Sequence, residues 1–180
     1  MNRKIYYLID IILHTVEIRV YYYYNEERWC FGMSALQEHK KGLNAELVWN
    51  DLQNCCRDQS ICGQCQEENC IIGYAKECIK DYQREPKKEI PDGTEHIPAT
   101  DYKAFDEMEL EIAIAHILKE CKDCKEDHVE DCIINIIRNC YEIGLLGDAQ
   151  PYEGSALQYL MRLKTDFPDK SIQIADAYSN

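Results

Sequence analysis

Apolar residues repeat with the period of an α-helix over most of the chain beyond residue 45. Val48, Leu52 and Cys55 are spaced as one face of a helix. Further stripes of the same kind are formed by Ile71, Ala75, Cys78, Ile79 and Tyr82, by Leu110, Ile114, Ile117, Leu118 and Cys121, and by Ile133, Ile136, Ile137 and Cys140. A last helix is predicted over 155–165, with Leu157, Leu160 and Met161 facing inward. The fold class should be mainly α.

The N-terminal segment has a different period. Residues 16–24 alternate between apolar and polar or aromatic positions, which is typical of a half-buried strand. The turn-forming residues 25–27 follow, and Trp29, Phe31 and Met33 alternate on the return, so we expect a β-hairpin or meander. Residues 4–13 fit either a third strand or a helix.

Proline and glycine divide the helical region. Pro86, Pro91, Gly93 and Pro98 fall within 84–101 and predict a loop there. The predicted organisation is one compact domain with five segments: 1–42, a β element packed on the core; 43–83, a first Cys-rich helical unit; 84–104, a linker loop; 105–148, a second Cys-rich helical unit; and 149–180, a C-terminal helical segment.

Two stretches of the chain match one another. The first runs from Cys62 to Cys78 and the second from Cys121 to Cys140, with His128 and the two residues after it treated as an insertion. Four cysteines, one glutamate and an Ile-Ile pair coincide, and a basic residue is shared at Lys76 and Arg138. We interpret the match as an internal duplication of a helix–(Cys-x-x-Cys)–helix unit.

The spacing of these cysteines favours metal binding. A Cys-x-x-Cys turn brings two thiolates to one side of a metal ion, as zinc and iron–sulfur sites require. The third cysteine of each copy, Cys70 or Cys132, directly follows an N-cap residue type, Asn69 or Asp131. In the first turn of a helix, unpaired N–H groups stabilise a thiolate. Three ligands per copy therefore follow from local sequence.

The fourth ligand differs between the copies. Cys55 or Cys56 is the candidate in the first, whereas the second has His128 in its loop, with His116 as the reserve. The predicted metal ligands are Cys55, Cys56, Cys62, Cys65 and Cys70 for the first site and Cys121, Cys124, His128 and Cys132 for the second.

Cys78 and Cys140 are predicted to be core residues. Each lies eight positions after its helix-start cysteine, or roughly 12 Å along a helix axis, too far to share one metal ion. Both also fall on the apolar stripes.

The mixed Cys and His ligands of the second site favour zinc over an iron–sulfur cluster, which usually takes cysteine alone. The spacing of the cysteines excludes neither zinc nor an iron–sulfur cluster.

Charge and composition limit the partners. With 33 acidic and 20 basic residues, the net charge is −13, which disfavours nucleic acid and anionic membranes. We also expect no membrane-spanning helix, because no apolar run approaches the length of about 18 residues that one needs. Eleven cysteines without an evident export signal favour a reducing, cytoplasmic location.

These features predict a zinc-stabilised structural or adaptor protein with a basic protein partner. The alternatives are an iron–sulfur electron-transfer or accessory subunit of an anaerobic redox enzyme, and an enzyme with an open metal position at the first site. We found no catalytic motif in the sequence. The pair Glu107 and Glu111 is interpreted as part of a solvated acidic face.

Overall fold

The computed structural model describes residues 6–13, 16–25, 28–35, 42–56, 62, 69–101, 103–123 and 129–180. The chain divides into two compact units, Met1–Gly42 and Leu43–Asn180. In the first unit the description covers the backbone of three strands, and in the second it includes side chains. Each unit is therefore described by itself, and the predicted packing of the first on the second stays a prediction.

The strands of the first unit are β1 (Tyr6–Leu13), β2 (Val16–Asn25) and β3 (Arg28–Ala35). They form an antiparallel sheet in the order β1-β2-β3. Ile9 lies opposite Val20 in the first pair of strands, and Tyr22 lies opposite Phe31 in the second.

The second unit is built from helices, which confirms a mainly α fold. The described residues contain α1 (Ala45–Cys55), α2 (Ile71–Arg84), α3 (Glu107–Asp123), α4 (Ile133–Leu146), α5 (Ala156–Asp166) and α6 (Pro168–Ser179). Within the described ranges, none of these helices has the length and apolar content needed to cross a bilayer.

The helix α4 lies at the centre of this unit. It packs against α2 and α3, and α1 in turn packs against both of those helices. Every residue of α4 from Ile133 to Glu142 is buried, whereas α1 and α2 bury only part of their surface. The predicted apolar stripes of α1 to α4 are buried as expected, apart from the partly exposed Cys121.

A glycine determines where α4 ends. Gly147 adopts a left-handed conformation with φ 85°, and its N–H donates to the carbonyl of Ile143 at 3.0 Å. A residue other than glycine is strained in this conformation, so Gly147 ends the helix.

The C-terminal region differs from the prediction. Leu157 and Met161 of α5 are 69% and 66% exposed, whereas Leu160 is half-buried against the core as predicted. The fully buried residues of α5 are Tyr159 and Leu163. Both pairs have helical spacing, so periodicity alone could not distinguish the two faces. A further helix, α6, begins with Pro168 in its first turn and packs against α3 and α5.

The solvated acidic face predicted at Glu107 and Glu111 is partly covered by α6. Lys170 of α6 reaches both carboxylates, with its Nζ 2.6 Å from Glu107 and 2.8 Å from Glu111. Glu111 is buried and Glu107 is exposed. Lys170, which is distant in sequence, therefore pairs with the carboxylate of Glu111 that α6 covers.

The segment between α2 and α3 lies against the start of α4. Gly93 in this segment is buried, and a Cβ atom there would overlap Cδ1 of Ile136 and lie 2.8 Å from the carbonyl oxygen of Ile90. The absence of a side chain at residue 93 allows this close approach.

Gly93→Ala should therefore destabilise the protein by about 1–3 kcal/mol, the usual cost of overpacking a close contact. The free energy of unfolding in urea, followed by circular dichroism, measures this change. Glu95→Ala, at an exposed position of the same segment, is the control and should change stability little. An unchanged stability of Gly93→Ala would mean that the segment does not lie against Ile136.

Candidate functional site

The third cysteine of each copy occupies the same place in the structure. Cys70 is the N-cap residue of α2 and Cys132 is the N-cap residue of α4, both with extended backbone. Each helix thus begins one residue later than predicted, because Asn69 and Asp131 precede the cap. The carboxylate of Asp131 accepts instead from the N–H groups of Asp92 and Thr94, at 3.0 and 3.3 Å.

Neither cysteine side chain makes a capping hydrogen bond of normal geometry to its own helix. The first N–H of α2, at Ile71, donates to the carboxylate of Asp101 at 3.0 Å. The first N–H of α4, at Ile133, donates to the carbonyl of Lys88 at 2.8 Å. Acceptors from the segment between α2 and α3 therefore cap both helices.

The described cysteines of the first predicted site differ in exposure. Cys55, the last residue of α1, is completely buried, and Cys56, immediately after it, is exposed. Burial and, after it, the nearby carboxylate of Asp51 raise the pKa of the Cys55 thiol well above its usual range. Cys62 is half-buried and Cys70 is buried. Burial also raises the pKa of Cys70, although the N–H groups of the first helical turn oppose the effect.

Two lysines lie next to these thiols. The Nζ of Lys76, a buried residue of α2, donates to the Sγ of Cys56 at 2.8 Å. Lys103 donates to the carbonyl of Asn69 and to Asp101, both at 3.1 Å. Burial would lower the pKa of Lys103, but Asp101 and, to a lesser degree, Cys70 and Cys62 raise it. The first site therefore has positive charge close to its sulfur atoms.

Of the predicted ligands of the second site, the structure describes Cys121 and Cys132. Cys121 lies near the end of α3, and Cys132 at the start of α4; both are partly exposed. The phenol of Tyr152 lies close to Cys121. Burial raises the pKa of Tyr152, and its interaction with the Cys121 thiol raises it further.

The remaining predicted ligands, Cys65, Cys124 and His128, lie outside the described residues. Among the residues that are described, no group of three or more His, Cys, Asp or Glu side chains is placed to hold a metal ion. Both ligand sets thus stay predictions. The reserve ligand His116 is engaged elsewhere, with its Nδ1 3.0 and 3.1 Å from the two carboxylate oxygens of Asp51.

The predicted burial of Cys78 and Cys140 is confirmed, with exposures of 5% and 0%. They lie on α2 and α4, which pack against each other. Burial raises the pKa of Cys78 to about 11 and that of Cys140 well above its usual range. Both side chains are therefore neutral thiols at physiological pH.

A buried polar cluster on α4 was not predicted from the sequence. Arg138 forms an ion pair with Glu142 and donates to Asn135 at 2.6 Å and to Asn139 at 3.1 Å. The guanidinium carbon lies 4.8 Å from the ring centroid of Tyr152. The four residues of α4 are spaced i, i+3, i+4 and i+7, and this polar stripe was the available signal.

Comparison with known proteins gives no relative: no family model, no curated protein and no solved structure matches this chain.

The capping of α2 by Asp101 should depend on pH. Burial by itself raises the pKa of Asp101, but the N–H of Ile71 and the ammonium of Lys103 outweigh it and hold the pKa below its usual value of 3.8. A carboxyl whose pKa is lower in the folded state stabilises the fold above its unfolded pKa. This stabilisation is lost as the pH falls through the folded pKa.

Asp101→Ala should accordingly destabilise the protein at neutral pH by about 1–2 kcal/mol, the cost of losing a helix cap. The difference from the wild type should shrink towards zero as the pH falls below about 4. Urea unfolding over this pH range measures both effects. The neighbouring, exposed Thr100→Ala is the control; a pH-independent cost for Asp101→Ala would contradict a role of the carboxylate.

Proposed function

We propose that the protein binds metal at two Cys-rich sites and that zinc is the metal of both. The first site consists of Cys56, Cys62, Cys65 and Cys70, and the second of Cys121, Cys124, His128 and Cys132. The observation that carries this proposal is the shared position of Cys70 and Cys132. Each stands at the start of a helix whose first N–H is satisfied from elsewhere, so neither side chain is required as a cap.

Exposure and charge support Cys56 over Cys55 as the fourth ligand of the first site. A metal ligand must bind as a thiolate, which complete burial among apolar side chains disfavours. Cys55 is completely buried at the end of α1, whereas Cys56 is exposed and accepts from the ammonium of Lys76. A hydrogen bond from an ammonium to a sulfur atom also orients that sulfur as a metal ligand.

The lysines also support an all-cysteine first site. Four thiolates around one divalent zinc ion leave two excess negative charges, which are costly next to a buried core. Lys76 and Lys103 together supply two positive charges close to the sulfur atoms. Hydrogen bonds from such groups to metal-bound sulfur orient the ligands and stabilise the site.

An iron–sulfur cluster is the second candidate for the first site. Positive charge and N–H donors around sulfur also stabilise the reduced state of such a cluster. The protein would then serve as an electron-transfer or accessory subunit of an anaerobic redox enzyme. The histidine of the second site favours zinc there and, by the duplication, at both sites.

The proposed role is structural. Each metal ion joins a Cys-x-x-Cys loop to the start of α2 or α4. It thereby fixes the angle between successive helices of the duplicated unit. The N-terminal β element is an addition to the two copies of this unit. The excess of acidic residues favours a basic protein partner rather than nucleic acid or an anionic membrane. The cysteine content supports a reducing compartment, the cytoplasm.

Metal analysis of protein purified without oxygen tests the proposal. We expect zinc at both sites and no visible absorption, because zinc has a filled d shell. Iron with acid-labile sulfide and a broad visible band would instead establish the electron-transfer alternative. A folded protein without bound metal would overturn both.

Single substitutions test the assignment of the fourth ligand. Cys56→Ser should remove metal from the first site and destabilise the fold, because binding of a structural metal contributes directly to folding. Cys55→Ala and the matched core variant Cys78→Ala should keep the full metal content and lose stability through packing, by about 1–3 kcal/mol. Metal content and urea unfolding of each variant are the measurements.

If Cys55→Ala lost metal and Cys56→Ser kept its full metal content, the fourth ligand would be Cys55 rather than Cys56. Full metal content in both variants would mean that the first site has an open coordination position, as an enzyme with a metal-bound water would need.

A further inference from the structure

Cys56 and Lys76 place a sulfur atom and a nitrogen atom in close contact. The Nζ of Lys76 lies 2.8 Å from the Sγ of Cys56. Among the described cysteines, Cys56 is the one that is exposed, so small molecules in solution reach it. Lys76 is buried, with an exposure of 8%. An accessible thiol therefore lies directly beside a nitrogen atom that the fold holds in place.

The ammonium of Lys76 has few other groups to bind. It carries three N–H donors, and the sulfur of Cys56 is its single hydrogen-bond acceptor within the described residues. Arg138, at the matching position of the second copy, has four acceptors for its buried charge. A buried charge with so few partners is costly, so a reaction that removes the charge of Lys76 is favoured.

We propose that oxidation by peroxide joins the Sγ of Cys56 to the Nζ of Lys76 in a covalent sulfenamide bond. The thiol of Cys56 first attacks one oxygen atom of the peroxide. An S–O bond forms, the O–O bond breaks, and the thiol proton leaves with the departing hydroxide as water. The sulfur atom thereby loses two electrons to the peroxide. The product is a sulfenic acid, which condenses with a nearby nitrogen or thiol.

The nitrogen of Lys76 completes the reaction. After the ammonium gives one proton to water, Nζ attacks the sulfur, an N–S bond forms and the S–O bond breaks. The departing hydroxide takes a second proton from the nitrogen, so the products are a neutral sulfenamide and water. Reacting atoms held about 3–3.5 Å apart are positioned to react, and the Nζ–Sγ distance of 2.8 Å is within that reach. The buried positive charge is removed in this step.

The bond also acts on the first metal site, and this consequence rests on the proposed function. A sulfur atom bonded to nitrogen is no longer a thiolate, the form that binds metal, so Cys56 ceases to be a ligand. The change is reversible by thiols. The second copy has Arg138 at the matching position, and a guanidinium stays protonated and is not a nucleophile. The modification is therefore confined to the first site.

Mass spectrometry of the full-length protein after treatment with hydrogen peroxide tests the proposal. The protein is purified without oxygen, its metal content is measured before and after the treatment, and free thiols are blocked before digestion. We expect a linked pair of peptides that contain Cys56 and Lys76, with a summed mass lower by two hydrogen atoms. Dithiothreitol should release both peptides. Metal should leave the first site as the link forms.

Two matched substitutions of lysine localise the bond. Lys76→Arg keeps the positive charge but removes the amine, and it gives residue 76 the side chain that the second copy has at residue 138. It should abolish the linked peptides, and Cys56 should instead gain two oxygen atoms as a sulfinic acid. Lys103→Arg, the same change at the other lysine near these sulfur atoms, should leave the yield of linked peptides unchanged.

The proposal is overturned if peroxide leaves Cys56 unmodified, or converts it to a sulfinic acid or a disulfide, with no peptide linked through Lys76. A linked pair that is heavier by one oxygen atom also overturns direct condensation. Both results come from the wild type, so they hold even if Lys76→Arg fails to fold. A link formed in protein purified without metal would contradict the metal proposal alone. Zinc-loaded protein that forms no link would contradict this inference alone.

Discussion

The first N–H groups of α2 and α4 need acceptors that the cysteines at their N-caps do not supply. A helix leaves its first four N–H groups unpaired, and most helices satisfy one of them with a Ser, Thr, Asp or Asn side chain at the N-cap. Here Asp101 and Lys88, both from the segment between α2 and α3, take that role. The same segment is held to α4 by Asp131. Because one segment supplies the acceptors for both helix starts, it fixes the position of the cysteine at each of them.

The two copies of the motif use the same basic position differently. Lys76 and Arg138 are aligned in the sequence, and each is a buried residue at the sixth position of its helix. Lys76 donates from its ammonium to a single acceptor, the sulfur of Cys56. Arg138 uses its planar guanidinium to join several groups at once and lies against Tyr152. One repeated basic position therefore serves a sulfur contact in the first copy and a buried polar cluster in the second.

Burying the cluster around Arg138 has an energetic cost, and its arrangement reduces that cost. A buried charge is tolerated when it is paired and its hydrogen bonds are made. Glu142 is completely buried beside Arg138, and its carboxylate also accepts from the N–H of Gln150 at 2.6 Å. Burial raises the pKa of Glu142, while the charge of Arg138 opposes the increase. Within the described residues, the Nε of Arg138 is left without a hydrogen-bond acceptor.

Local sequence predicted the helices α1 to α5 of the second unit, because the apolar stripes and the prolines act over a few residues, but it did not predict α6. It also indicated that Cys78 and Cys140 would be buried, whereas the grouping of the predicted metal ligands stays a prediction. Tertiary structure decided what periodicity could not. On α5, two apolar faces competed, and contact with α6 and the polar cluster selected Tyr159 and Leu163. Asp101 caps a helix that begins 30 residues earlier in the chain, and Lys170 pairs with Glu111 across 59 residues. Such contacts leave no local pattern, since they depend on which helices meet in space.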